Sequence, residues 1–173
     1  MTEVPNNRIA SSGFDEESLT TAERTEIDHE LTHYPHKQAA TIEALKIVQN
    51  HQRWVSDGKL KAIAAYLEIS PEAVESVATF YNKIYRLPVG QQVVGICNSV
   101  TCWSLGYQQL MDQACSTLNV VPGEASAGNR FTVLPAPCLG ACDKAPVMMV
   151  EDQLIERVTP EILARILTQE SDT

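Results

Sequence analysis

The sequence predicts an α+β protein, with a small N-terminal helical bundle followed by a small sheet covered by helices. Up to about residue 81, apolar residues recur at i, i+3, i+4 and i+7, the period of amphipathic helices. From Gln91 onward the period changes to short apolar runs separated by turn signals. Arg86-Leu-Pro88-Val-Gly90 lies between the two regimes and breaks both patterns. The expected organisation is a mobile polar tail over 1–18, a helical domain over 19–87 and a sheet-containing domain over 88–173.

The first helix opens at Thr20, whose hydroxyl can cap while Glu23 reaches back in a T-x-x-E box. Ile27, Leu31 and Tyr34 share a face, and Pro35 ends the run. A second helix is expected over 39–50, with Ile42, Leu45 and Val48 inward, and a third over 57–67, with Leu60, Ile63, Ala64 and Leu67 inward. Ser70-Pro71 supplies an N-cap and a first-turn proline for a fourth, with Val74, Val77, Ala78 and Tyr81 inward. Trp54 is expected in the bundle core. Short loops between four such helices make a bundle.

Beyond the break, 91–97 reads as a strand, 105–118 as a helix and 122–129 as a Pro/Gly/Ser loop. Short strands are expected over 131–134, 147–150 and 154–158, with Glu151-Asp-Gln153 turning the last two into a hairpin. Met148 and Met149 then face opposite sides of the sheet. Thr159-Pro160-Glu161 caps a final helix that buries Ile162, Leu163, Ile166 and Leu167.

A chain of 173 residues holds one sizeable core or two small ones. No apolar run approaches the roughly 18 residues of a membrane span, and the N-terminus lacks the basic start and apolar centre of a signal peptide. The expected location is the cytoplasm, or the cytoplasmic side of a larger assembly. The net charge of −9 repels phosphate backbones and argues against nucleic-acid binding. Much of the acid lies near the front, at Asp15, Glu16, Glu17, Glu23, Glu26, Asp28 and Glu30, and reads as a solvated face.

The chemistry is concentrated in cysteine. Cys97-Asn-Ser-Val-Thr-Cys102 and Cys138-Leu-Gly-Ala-Cys142 each place two thiols on one loop, and each loop follows a predicted strand. Gly140 lets the second loop bend and turn backbone N–H groups toward sulfur. Cys115 lies in a helical stretch away from both pairs and reads as a packed thiol. A reducing compartment disfavours disulfides. The steps of four and three intervening residues suit a [2Fe-2S] cluster held by Cys97, Cys102, Cys138 and Cys142. Structural zinc, usually bound through C-x2-C knuckles, is the competing reading. Neighbours of the pairs have open roles. Trp103 can shield the centre, anchor a partner or simply pack, and Lys144 can offset charge that Asp143 adds.

The C-x4-C, long gap, C-x3-C arrangement behind a helical region resembles the NuoE family of bacterial NADH:quinone oxidoreductase, respiratory complex I. Ala44-Leu-Lys-Ile-Val-Gln49, Val77-Ala-Thr-Phe-Tyr81 and Leu139-Gly-Ala-Cys-Asp-Lys-Ala-Pro-Val-Met-Met149 carry the likeness, which runs over 20–167. It implies a thioredoxin-like ferredoxin domain at the C-terminal end, without the C-x-x-C of disulfide exchange. It further implies that the four cysteines hold an N1a-type cluster. The implied partners are the flavin-bearing, NADH-binding subunit (NuoF type) and a neighbouring iron–sulfur subunit of the peripheral arm. Similar subunits serve hydrogenases and formate dehydrogenases. No G-x-G-x-x-G, P-loop or G-x-S-x-G is present, so FMN and NADH are expected on the partner and no side chain here is expected to act as acid, base or nucleophile.

His29-Glu-Leu-Thr-His33 matches the H-E-x-x-H of zinc proteases, with Glu30 as the base. At about 100° per residue, His29 and His33 fall about 200° and 240° from Ile27, opposite the expected core face. Histidines facing water do not line a dry catalytic cleft, so an exposed helix face is the expected reading.

Overall fold

The computed structural model describes residues 17–168. The expected tail over 1–18 therefore lies, apart from Glu17 and Ser18, outside the described residues, as do Asp15 and Glu16.

Helix α1 spans Thr21–Leu31 and begins with the predicted capping box: Thr20 Oγ1 accepts from the Glu23 N–H, and Glu23 accepts from the Thr20 N–H. It stops before Tyr34, because the last N–H groups bond back three residues instead of four. A 3-10 turn over Lys37–Ala40 leads into α2, Thr41–Gln52, which ends at Arg53 in the left-handed region. Helices α3, Asp57–Leu67, and α4, Pro71–Phe80, are capped by the Ser56 and Ser70 hydroxyls.

Ile27, Leu45, Val48, Val55, Ile63, Leu67, Val74 and Ala78 form one hydrophobic core among these helices. Three residues of the helical region expected inward do not join this core. Ile42 and Trp54 are half-buried: Ile42 sits in the first turn of α2, and Trp54 follows the reversal at Arg53. Tyr81 is 43% exposed, because α4 has ended and its backbone is already extended. Glu23 is a further correction, since it is fully buried instead of forming part of a solvated face.

Strands β1, Gln92–Cys97, β2, Phe131–Ala136, β3, Met148–Val150, and β4, Gln153–Ile155, form one sheet in the order β2-β1-β3-β4. β1 runs parallel to β2 and antiparallel to β3, and β3 and β4 form a hairpin. The turn needs just Glu151 and Asp152, because Gln153 already pairs with Val150. β4 ends at Ile155, short of the residue 158 that the sequence predicts.

A short helix, α5 (Val100–Ser104), and then α6 (Tyr107–Leu118) occupy the crossover from β1 to β2. The sequence predicts one helix here and misses α5. The final helix, α7 (Pro160–Thr168), packs on α6; Leu163 and Leu167 are buried as expected, whereas Ile162 and Ile166 are half-buried. Val94, Ile96, Leu110, Met111, Phe131, Val133, Met148 and Leu163 form a second core, separate from the first.

Arg53 joins the two parts. Its guanidinium donates to the carbonyls of Gly90 and Gln91 and to both carboxylate oxygens of Glu151, at 2.8–3.2 Å. Gly90 allows a close approach, because a Cβ there would meet the Phe131 carbonyl carbon at 2.8 Å. No helix among the described residues is long and apolar enough to cross a membrane.

Candidate metal centre

The parallel pairing of β1 and β2 sets the site. Cys97 closes β1 opposite Ala136 at the end of β2, so the two cysteine loops leave the same end of the sheet. The Cys97 N–H donates to the Val147 carbonyl at 3.1 Å and the Asn98 N–H to Ala136 at 2.9 Å, which fixes both loop origins. Ser99 is the N-cap residue of α5, and α5 carries Cys102 back toward Cys97. The second loop turns at Gly140 (φ +82°), where a side chain would be strained despite open space around it. A 3-10 turn over Cys142–Lys144 then brings Cys142 beside Cys138, with sulfurs 3.5 Å apart.

The pairs sit in different environments. Cys97 and Cys102 are each 1% exposed and pack with Val147, Leu139, Ala141, Ala145 and Leu154. Cys138 and Cys142 are exposed. Burial pushes the Cys102 thiol up; the Val147 N–H opposes this, while Cys97 and Cys142 add to it. The Gly140 N–H, then Cys142 and more weakly Ser99, hold the Cys138 thiol below its usual range. Cys142 is raised, first by its bond to Cys138, while the Thr101 hydroxyl lowers it. Cys142 thus faces both its loop partner Cys138 and the buried pair, which places the two loops at one site.

The spacing of these sulfurs distinguishes between metal centres. Zinc with bonds of about 2.3 Å sets its thiolate sulfurs about 3.8 Å apart. Among the described residues, no three cysteine sulfurs lie within 4.8 Å of one another. Two pairs of thiols on two adjacent loops, one pair with sulfurs 3.5 Å apart, suit the two irons of a [2Fe-2S] cluster. The donor set therefore fits that group.

The remaining predicted residues divide clearly. Cys115 lies apart in α6, with its sulfur 3.9 Å from that of Met111. Trp103 is 65% exposed and belongs to none of the hydrophobic cores; Val100 and Leu105 beside it are also exposed. Lys144 is tied to Glu156 at 2.6 Å, which raises its pKa. Met148 is buried and Met149 half-buried, facing opposite sides as predicted. His29, in the last turn of α1, and His33, just beyond it, are exposed and remote in sequence from the thiols.

Sequence reasoning missed the Ser99 and Thr101 hydroxyls and the Val147 N–H near sulfur. The hydroxyl residues inside Cys97-Asn-Ser-Val-Thr-Cys102 were the available signal. The Val147 contact depends on the fold and left none.

Known proteins resemble this chain in sequence and in fold. The profile of the thioredoxin-like [2Fe-2S] ferredoxin family matches residues 27–171. The E subunit of NADH-quinone oxidoreductase from Escherichia coli is 47% identical over 149 residues, covering 86% of this chain and 90% of that protein. Its Pseudomonas aeruginosa counterpart is 43% identical over the same coverage. An NAD+-reducing [NiFe]-hydrogenase, solved in the H2-reduced state, shares the fold with a TM-score of 0.62 at 18% identity. That match covers 74% of this chain but spans about a fifth (21%) of the hydrogenase chain.

Proposed function

Because the chain belongs to the thioredoxin-like [2Fe-2S] ferredoxin family, we propose that it is the NuoE-type electron-transfer subunit of an NADH:quinone oxidoreductase. Its single [2Fe-2S] cluster would be held by Cys97, Cys102, Cys138 and Cys142. The observation that carries this reading is the pairing of thiols, two and two, at one end of adjacent parallel strands.

When bound, the cluster supplies one-electron transfer and no bond chemistry. The chain supplies the surroundings. N–H groups of Gly140 and Val147 and hydroxyls of Ser99 and Thr101 act on sulfur and moderate its negative charge. Leu139, Val147 and Leu154 exclude water from the Cys97/Cys102 side. The exposed Cys138/Cys142 loop leaves the other side open to solvent or to a partner.

The partner we propose is the flavin-bearing, NADH-binding subunit, with a second contact to a peripheral-arm iron–sulfur subunit on the cytoplasmic side of the membrane. FMN and NADH belong to that partner. High identity to the Escherichia coli and Pseudomonas aeruginosa proteins supports the respiratory assembly; the hydrogenase likeness is one of fold. The two cores support a division near residue 87 into a helical and a ferredoxin domain.

The test is iron and acid-labile sulfide analysis of anaerobically purified protein, then low-temperature EPR after dithionite reduction. About two irons, two sulfides and a one-electron signal per chain are expected. One zinc without sulfide or signal, even after reconstitution, would overturn the proposal.

A further inference from the structure

We infer that His29, Glu30 and His33 form a second metal site, for a divalent transition ion of the zinc class, on the surface of the helical region. His29 and Glu30 lie in the last turn of α1, and His33 follows two residues beyond it with its N–H bonded back to the Glu30 carbonyl, which gathers the three side chains at the helix end. The Glu30 carboxylate lies between the imidazoles, 3.8 Å from His29 Nδ1 and 3.9 Å from His33 Nδ1. The rings stand edge to face at 5.3 Å. Among the described residues this is the group of three whose ligand atoms all lie within 4.8 Å of one another.

Zinc bonds of about 2.1 Å to nitrogen and oxygen would need ligand atoms about 3.4 Å apart in a tetrahedron. Exposed side chains reach that spacing by small rotations: the side chains of His29 and His33 are 74% and 59% exposed and that of Glu30 36%. Two imidazoles and a carboxylate are a borderline donor set, which selects zinc, nickel or copper over calcium or magnesium. The helix end adds a further attraction. The ligands sit in and just beyond the last turn of α1, whose carbonyls carry the negative end of the dipole and favour a cation.

This site differs from the protease reading of the same motif. Glu30 serves as the third ligand instead of a base, water completes the coordination, and no cleft is needed to receive a peptide. The ion would staple the end of α1 to the segment that follows it. It acts independently of the cysteine centre.

The test is calorimetric titration of the cluster-loaded protein with zinc in a non-chelating buffer, with visible absorption recording the cluster. One saturable site per chain is expected, with affinity falling about tenfold or more in both His29→Ala and His33→Ala. His36→Ala should be unchanged. His51, bonded to Glu26 at 2.9 Å, is a second control. All four positions are exposed or nearly so, so the variants should fold, and unchanged thermal melts without zinc would show it. Absence of saturation, equal affinity in every variant, dependence on just one of the two histidines, or zinc uptake accompanied by cluster bleaching would each overturn the site.

Discussion

The Lys59 ammonium lies 2.7 Å from Glu23 Oε2 and 3.0 Å from Oε1 inside the helical core, and both side chains are almost wholly shielded from solvent. The same carboxylate accepts the Thr20 N–H at 2.7 Å, and Lys59 also donates to the Ser18 carbonyl at 3.0 Å. The pair thus ties the start of α1 to α3. A buried ion pair is costly to break from one side, because the surviving charge has no partner. Lys59→Met should cost about 3–5 kcal/mol in urea unfolding. Adding Glu23→Gln, which keeps a capping-box acceptor, should recover much of that loss. A double variant as unstable as the single one would mean that lost packing, not the orphaned charge, sets the cost.

Acid should act through the same group. Burial pushes the Glu23 carboxyl up, but Lys59 and Thr20 outweigh it and hold the carboxyl below the usual glutamate range. A carboxyl lowered in the folded state binds fewer protons there than in the unfolded chain. Its contribution is therefore complete above the unfolded pKa and is lost as pH falls through the folded one. Urea midpoints measured between about pH 5 and pH 2 should fall more steeply for the wild type than for Glu23→Gln/Lys59→Met. Equal slopes would remove Glu23 from the acid response.

The burial difference between the thiol pairs predicts a difference without any metal. Serine at position 97 or 102 puts a hydroxyl among Val147, Leu139 and Leu154 and should destabilise the metal-free protein by about 1–3 kcal/mol. Cys138→Ser and Cys142→Ser face water and should leave metal-free stability nearly unchanged. All four should lower bound iron and sulfide, whereas Cys115→Ser should keep the full complement. Retention of a full cluster in Cys138→Ser would contradict the ligand set.

The exposed Trp103 gives a test of docking. A large aromatic at 65% exposure, flanked by exposed Val100 and Leu105, suits the anchor of an interface. Trp103→Ala should leave iron content and melting temperature unchanged. It should weaken association with the flavin-bearing subunit proposed as partner about tenfold or more in a binding titration. Unaltered affinity would place the interface elsewhere.

Much of this was legible locally. The caps at Thr20 and Ser70 and the i, i+3, i+4, i+7 stripes of α3 and α4 are properties of short windows, legible from cap residues and hydrophobic period. The cysteine loops were legible because each follows its strand closely. What escaped depends on distant partners. Glu23 and Lys59 look like surface residues until the fold brings them together across 36 positions. Tyr81 continues the stripe of α4 in sequence, but the helix stops one residue earlier. Helix α5 is five residues long, too short for a period to show.

The join between the two cores can be tested at Arg53. Its guanidinium reaches Glu151 across 98 residues, and Glu151 Oε1 also accepts the Val93 N–H at 2.6 Å. Glu151 raises the Arg53 pKa despite partial burial, so the cation persists at any working pH. Both side chains are about two-fifths exposed, so solvent screens the pair and the coupling should be modest. A double-mutant cycle of Arg53→Ala and Glu151→Ala should give about 1 kcal/mol of interaction energy. Arg53→Lys keeps the charge but cannot contact Gly90, Gln91 and both Glu151 oxygens together, so it should lose most of that coupling. If lysine instead preserves it, charge alone holds the two parts together and the planar fork contributes nothing.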